Sequence, residues 1–153
     1  MFMVYIDYPS PDEEHRIVKQ TTTTKPKALE PVFSREEMLL FQDLVRSAPV
    51  SDSVIRFAVD LARATRPSDE LATDKVKTYL KWGAGPRASQ YMTLGAKGRA
   101  LIKGRVTPSF DDVKAVCAQV LRHRVVPNFN AEADGVSVDD IIRHIIDHTA
   151  VPK

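Results

Sequence analysis

The chain has 153 residues, 43% of them hydrophobic and 27% charged, which is the balance of an ordinary globular protein large enough to build its own core. Its formal net charge of +2 does not demand a nucleic-acid partner, and its single cysteine, Cys117, excludes an internal disulfide and fits a reducing compartment. No apolar run is long enough to cross a bilayer, and Met1 to Pro9 is too short and lacks the basic flank of a signal peptide.

Phe2 to Ile6 is a dense apolar and aromatic run that predicts a fully buried strand, ended by Pro9 and Pro11. Ser10 then reads as a helix N-cap, with Pro11 first in the helix and Asp12, Glu13 and Glu14 in its positive first turn. That helix is expected to run to about Gln20. Thr21 to Pro31 is rich in Thr, Lys and Pro and reads as an exposed linker.

Ser34 to Glu37 has a capping-box pattern, followed by Met38, Leu39, Phe41, Leu44 and Val45 at helical spacing. Pro49 breaks that helix. Ser51 or Asp52 starts the next, whose apolar face is Val54, Ile55, Ala58, Val59 and Ala62, and Pro67 ends it. Ser68 to Thr73 reads as a loop, and Val76, Tyr79, Leu80 and Trp82 as a short apolar patch. Gly83 and Gly85 form the tightest glycine cluster. Pro86 follows, then a helix from Arg87 to about Lys103 stopped by Gly104. Thr107, Pro108 and Ser109 cap a further helix with Val113, Val116, Cys117, Val120 and Leu121 as its buried stripe. Pro127 to Gly135 reads as a loop. Ser137 caps the last helix, whose apolar side is Ile141, Ile142, Ile145 and Ile146.

The sum is one strand and six helices. A lone strand cannot satisfy its backbone, so this one looks like the last strand of a parallel sheet whose other strands lie elsewhere. In the chain by itself it is expected to pair with another copy or to drape on the helices.

Several segments, in this order and spacing, carry a family resemblance. They are Val4 to Glu14 (VYIDYPSPDEE), Ala64-Thr65-Arg66, Gly83 to Ser89 (GAGPRAS), Gly104 to Pro108 (GRVTP), Asp112-Val113, Val120 to Arg124 (VLRHR), and the tail from Ala131 to Gly135 and on to Val151-Pro152. Over nearly its whole length the chain resembles the C-terminal part of the MoxR-family AAA+ ATPases. One position departs: the family usually has Ser where this chain has Gly85, which removes a hydroxyl and leaves the turn.

The resemblance implies a mainly α fold, a helical AAA+ lid bundle preceded by one orphan strand and a helix from the α/β ATPase core. The implied boundaries are 1–24 for the end of the core, 25–33 for a linker, 34–126 for the lid, and 127–153 for a C-terminal loop and helix packing on it. The core would supply the phosphate loop, the acidic magnesium residues and a neighbour-facing arginine. No G-x-x-x-x-G-K-[ST] occurs in the chain, and Gly95 to Gly98 (GAKG) is not one. The chain alone is therefore expected not to hydrolyse ATP; ATP and magnesium are implied for the full-length parent and no cofactor for the chain alone. The resemblance also implies a cytoplasmic bacterial chaperone-like ATPase. Its ring, of six subunits, would bring in the core and neighbouring subunits as partners, with a von Willebrand factor A domain protein as client and no membrane contact.

Arg87 is the leading site residue. A cation in the first turn opposes the helix dipole by about 0.3–1 kcal/mol, a placement that makes sense if an anion binds there. In the family this arginine resembles sensor 2, the lid residue that reaches the terminal phosphate of ATP, with Gly83, Gly85 and Pro86 forming the turn that presents it. Arg66, Arg122 and Arg124 are secondary candidates for nucleotide or neighbour contact, although cations at helix C-termini also favour the dipole with no ligand at all. His144 and His148 sit four apart on one helix without a third strong ligand, so no metal site is assigned. Two other readings compete. Lys97, Arg99, Lys103 and Arg105 could belong to a small helical nucleic-acid-binding module, which the interspersed acids and low net charge disfavour. A pure interaction adaptor would lack a phosphate site.

Overall fold

The computed structural model describes residues 2–23 and 29–152. Among them are eight helices and one two-stranded sheet: α1 (Pro11–Thr22), α2 (Arg35–Ser47), α3 (Asp52–Ala64), α4 (Asp74–Tyr79), β1 (Leu80–Trp82), α5 (Pro86–Ile102), α6 (Phe110–Leu121), β2 (Val126–Pro127), α7 (Phe129–Ala133) and α8 (Val138–His148).

The helices begin where side-chain chemistry starts them. Ser10, Ser34, Ser51 and Ser137 each accept a first-turn N–H, and Ser109 pairs reciprocally with Asp112. They end by equally specific means. At the close of α5, Arg105 N–H reaches Ala100 C=O (2.8 Å) and Gly104 N–H reaches Leu101 C=O (2.9 Å), which requires Gly104 at φ +71°. Gly135, at φ +65°, closes α7 by the same paired bonds to Ala131 and Glu132.

Helix α5 is the central member, packing on α3 and α6 and carrying α2 on a further side. Its buried row, Ala88, Met92, Ala96 and Ala100, recurs every four residues and is mostly small, so its neighbours come close. The core around it contains Phe57, Leu61, Val113, Val120, Leu121, Ile141, Ile142 and Ile145. Phe57 meets Phe110 edge to face, with ring centroids 5.4 Å apart. A buried ion cluster fastens α5 to α6. Asp112, 2% exposed, takes 2.7 Å bonds from both terminal nitrogens of Arg105 and lies 3.4 Å from Arg99 Nε. Ser109 N–H (2.9 Å) and Oγ (3.0 Å) donate to the same carboxylate. These donors hold the Asp112 carboxyl far below the usual carboxylate range, Arg105 foremost.

Several expectations change. Phe2 to Ile6 is not a buried strand: it is extended, exposed chain without a strand partner among the described residues. Its tie to the helices is a bond from Met3 N–H to Gln119 C=O (2.7 Å), so it drapes on them. The apolar patch at 76–82 resolves into the end of α4 and strand β1, which pairs antiparallel with β2, Leu80 opposite Pro127 and Trp82 opposite Val126. The loop expected from Pro127 to Gly135 holds α7. The first helix runs on to Thr22, and residues 24–28, in the expected linker, lie outside the described residues. No helix among the described residues is long and apolar enough to cross a membrane.

Candidate functional site

The turn from Gly83 to Gly85 is clamped onto the end of α3. The buried Thr65 hydroxyl accepts from Ala84 N–H (2.7 Å) and donates to Ala62 C=O (2.6 Å), so one hydroxyl joins helix end to turn. Next along the chain, Arg66 Nε donates to Ala84 C=O (3.0 Å). Both backbone groups of Ala84 are thereby held by consecutive side chains. The approach is so close that Gly83 has no room for a side chain: a Cβ there would lie 2.5 Å from Thr65 O and 2.6 Å from Arg66 Cα. Gly85 is different. A Cβ on it would meet nothing within 4 Å, and its backbone is extended at φ −83°. The serine usual in the resembling family would therefore fit here.

The clamped turn delivers the chain into α5 through Pro86, which suits the first helical position. Gly85, the N-cap, supplies no side-chain cap, and the first turn of α5 contains no acid. Every other helix among the described residues has at least one acidic residue in its first turn. Arg87 lies in this first turn, exposed to solvent. The positive end of the longest helix is thus left without a carboxylate and given a guanidinium instead. That arrangement suits an incoming anion, which would find backbone N–H groups and a forked cation together.

The structure brings Arg66 to the same turn. Arg66, Pro86 and Ser89 are among the residues lining a groove of about 840 Å³ between α3 and α5, together with Ile55, Val59 and Leu94. The other two arginines are engaged elsewhere. Arg122 makes a two-pronged ion pair with Asp139 (Nε–Oδ1 2.7 Å, Nη2–Oδ2 2.9 Å), fastening the end of α6 to the start of α8. Arg124 donates to Val120 C=O, contacts His123, and lies over the Tyr91 ring at 5.2 Å from its centroid. His144 Nε2 meets the Thr73 hydroxyl (3.1 Å) and its ring stacks on His148 at 3.8 Å. Burial, then the neighbouring His148 and Lys75, push the His144 pKa down.

Sequence reading gives Thr65 no role, although it is the buried pivot of the clamp. The available signal is a threonine at the end of the Ala- and Leu-rich stripe of α3, directly before Arg66. The ion cluster at Asp112 is missed as well, because the partners of this α6 residue come from α5 and from the loop between the two helices.

Residues 72–145 match the AAA lid domain family. Along its whole length the chain is 32% identical to Chaperone MoxR1 of Mycobacterium tuberculosis, of which it covers 40%. It is 27% identical to the Bacillus subtilis protein YeaC, with 99% of this chain and 45% of that protein aligned. A crystal structure of a candidate ATPase from Cytophaga hutchinsonii superposes on all of the chain with a TM-score of 0.87, using 47% of that protein. At 24% identity this last likeness concerns the fold alone. The chain spans less than half the length of each of these relatives.

Proposed function

We propose that this chain, an AAA lid domain homologous along its full length to a MoxR chaperone, is the nucleotide-sensing lid of a ring-forming MoxR-type ATPase. The observation that carries the reading is the start of α5, where a rigidly clamped turn presents Arg87 on a first turn free of acids. Arg87 holds the terminal phosphate of ATP in the sensor-2 role. Arg66 acts through the turn, fixing where Arg87 stands. The terminal phosphate offers the negative charge to be recognised, and the phosphate loop and magnesium ligands belong to the core of the parent. Because Arg87 and the buried row of α5 share one rigid helix, a pull on the guanidinium moves the whole lid against the core and the neighbouring subunit. The relative's designation as a chaperone supports coupling of that motion to maturation of a client protein.

The test is Arg87→Ala in a full-length parent. A charge-assisted contact of this kind contributes roughly 1.5–3 kcal/mol, so nucleotide affinity or turnover should fall by about one to two orders of magnitude. Stability should stay within about 0.5 kcal/mol, because the side chain is exposed. Arg87→Lys should rescue in part, since a point charge lacks the fork. Unchanged turnover in Arg87→Ala would remove the sensor role.

A further inference from the structure

Midway along α5 the helix surface is stripped to hydrogen at Gly95 and Gly98, beside Val116 of α6. Leu94, Ile102, Tyr91 and the stems of Arg99 and Lys103 complete a largely apolar hollow of about 490 Å³. The ring of Phe2 forms one wall of this hollow, its tip set against Gly95 while the residue as a whole stays 45% exposed. A Cβ placed on Gly95 would lie 2.4 Å from Phe2 Cζ and 3.0 Å from Cε1, so the ring occupies the space a side chain would take. The next residue completes the contact: Met3 N–H donates to Gln119 C=O near the end of α6 (2.7 Å). An aromatic anchor and one main-chain bond seat the segment, while Val4 to Tyr8 stand off in solvent and α1 buries none of its residues.

We infer that the hollow at Gly95 is a socket for Phe2, through which the segment leading into α1 is coupled to the lid helix that bears Arg87. Gly95 lies nine positions beyond Pro86 on the same helix, about 14 Å at 1.5 Å per residue. A helix of that length moves as one body, so a shift of the Arg87 end displaces the socket, and Phe2 carries the displacement to α1. This consequence rests on the lid reading above; the socket itself stands on geometry alone and is tested without nucleotide.

The full 153-residue chain offers a matched pair of substitutions. Gly95→Ala puts a methyl into the Phe2 ring. Gly98→Ala, on the same helix and in the same hollow, meets only Val45 at 3.8 Å or beyond and gains the same helix propensity. Hydrogen exchange of the Met3 amide is followed by NMR, together with the Gly95 resonances that sit under the Phe2 ring. Gly95→Ala and Phe2→Ala should each speed Met3 exchange by about tenfold, the value of one modest hydrogen bond, and Gly98→Ala should leave it unchanged. Phe2→Ala should also move the Gly95 resonances as the ring current is lost. Adding Phe2→Ala to Gly95→Ala should change Met3 exchange no further. Met3 exchange in Gly95→Ala equal to that in Gly98→Ala, or Gly95 resonances indifferent to Phe2→Ala, would overturn the socket. Full-length Arg87→Ala turnover, by contrast, tests the sensor role and says nothing of the socket.

Discussion

Gly83 can be tested by adding a single methyl group. In Gly83→Ala the new carbon would sit 2.5 Å from Thr65 O and 2.6 Å from both Thr65 C and Arg66 Cα. All three are backbone atoms, so none can rotate away. Overpacking of this sort costs typically about 1–3 kcal/mol. The alternative is for the turn to lift off α3, which breaks Ala84 N–H to Thr65 Oγ1 and Arg66 Nε to Ala84 C=O. Ala84 and Thr65 are both buried, so their stranded polar groups would cost about 1–3 kcal/mol by that route as well. Either way we expect a loss of about 1–3 kcal/mol, or about 2–12 °C in Tm at the 2–4 °C per kcal/mol typical of this chain length. Gly85→Ser is the contrasting change two residues on. It enters open space, adds a hydroxyl at the N-cap of α5, and should raise stability by a few tenths of a kcal/mol. Thermal melts followed by far-UV circular dichroism, wild type and both variants side by side, decide the matter. A Gly83→Ala chain that melts with the wild type would refute the close approach and, with it, the clamp that positions Arg87.

Asp112→Asn should destabilise by about 2–4 kcal/mol in urea titrations, somewhat below the range for a wholly buried pair because Arg99 and Arg105 are each 41% exposed and can recover water. Since the Asp112 carboxyl is held far below its unfolded value, its contribution is fully present above about pH 4 and is lost only as pH falls toward the folded value. The stability gap between wild type and Asp112→Asn should therefore be constant from neutrality to about pH 5 and narrow only in stronger acid. His144 acts with the same sign in a higher pH window: its folded pKa is depressed, so the unfolded chain binds the extra proton and stability should decline as pH drops below about 6.5, a slope that His144→Gln should flatten in the same titrations. Deleting residues 1–9 should leave the helical part folded, with its circular dichroism nearly unchanged, because none of those residues that are described is buried; global unfolding on deletion would show that they belong to the lid core.

The long helices were legible because their starts are written locally. Ser10, Ser34, Ser51, Ser109 and Ser137 each stand where a cap is needed, and each is followed by an acid within the first turn. Helices α4 and α7 were not, since six and five residues are too few for a period of 3.6 to register. Their caps, Thr73 and Asn128, are visible only in hindsight. The small sheet joins residues near 81 to residues near 126, a pairing no local window contains. The place of Arg87 in the first turn of α5 was legible from the glycine turn and Pro86. The clamp that steadies it was not, because Thr65 and Ala84 meet only when α3 and the turn come together. The misread strand at Phe2 to Ile6 shows the limit of composition: a run of large apolar residues states a need for cover and not the form in which cover is found.

The same need extends further along the chain. Among the described residues, every buried core residue lies at Ala48 or beyond. Before it, α2 carries Met38, Leu39, Leu40, Phe41 and Leu44, all at least 41% exposed, and Phe33 meets Phe41 edge to face on the outside of the bundle. Covering a side chain of this size contributes about 1.5–3 kcal/mol, so α2 and the N-terminal segment together hold unused hydrophobic surface comparable to the net stability of a whole domain. A sequence under selection for solubility does not spread such residues along a capped, amphipathic helix unless something packs there. On the lid reading proposed above, that something is the ATPase core. Helix α2 would then lie between core and lid, with its C-terminal end tied to α5 by Lys97 Nζ donating to Arg46 C=O at 3.0 Å.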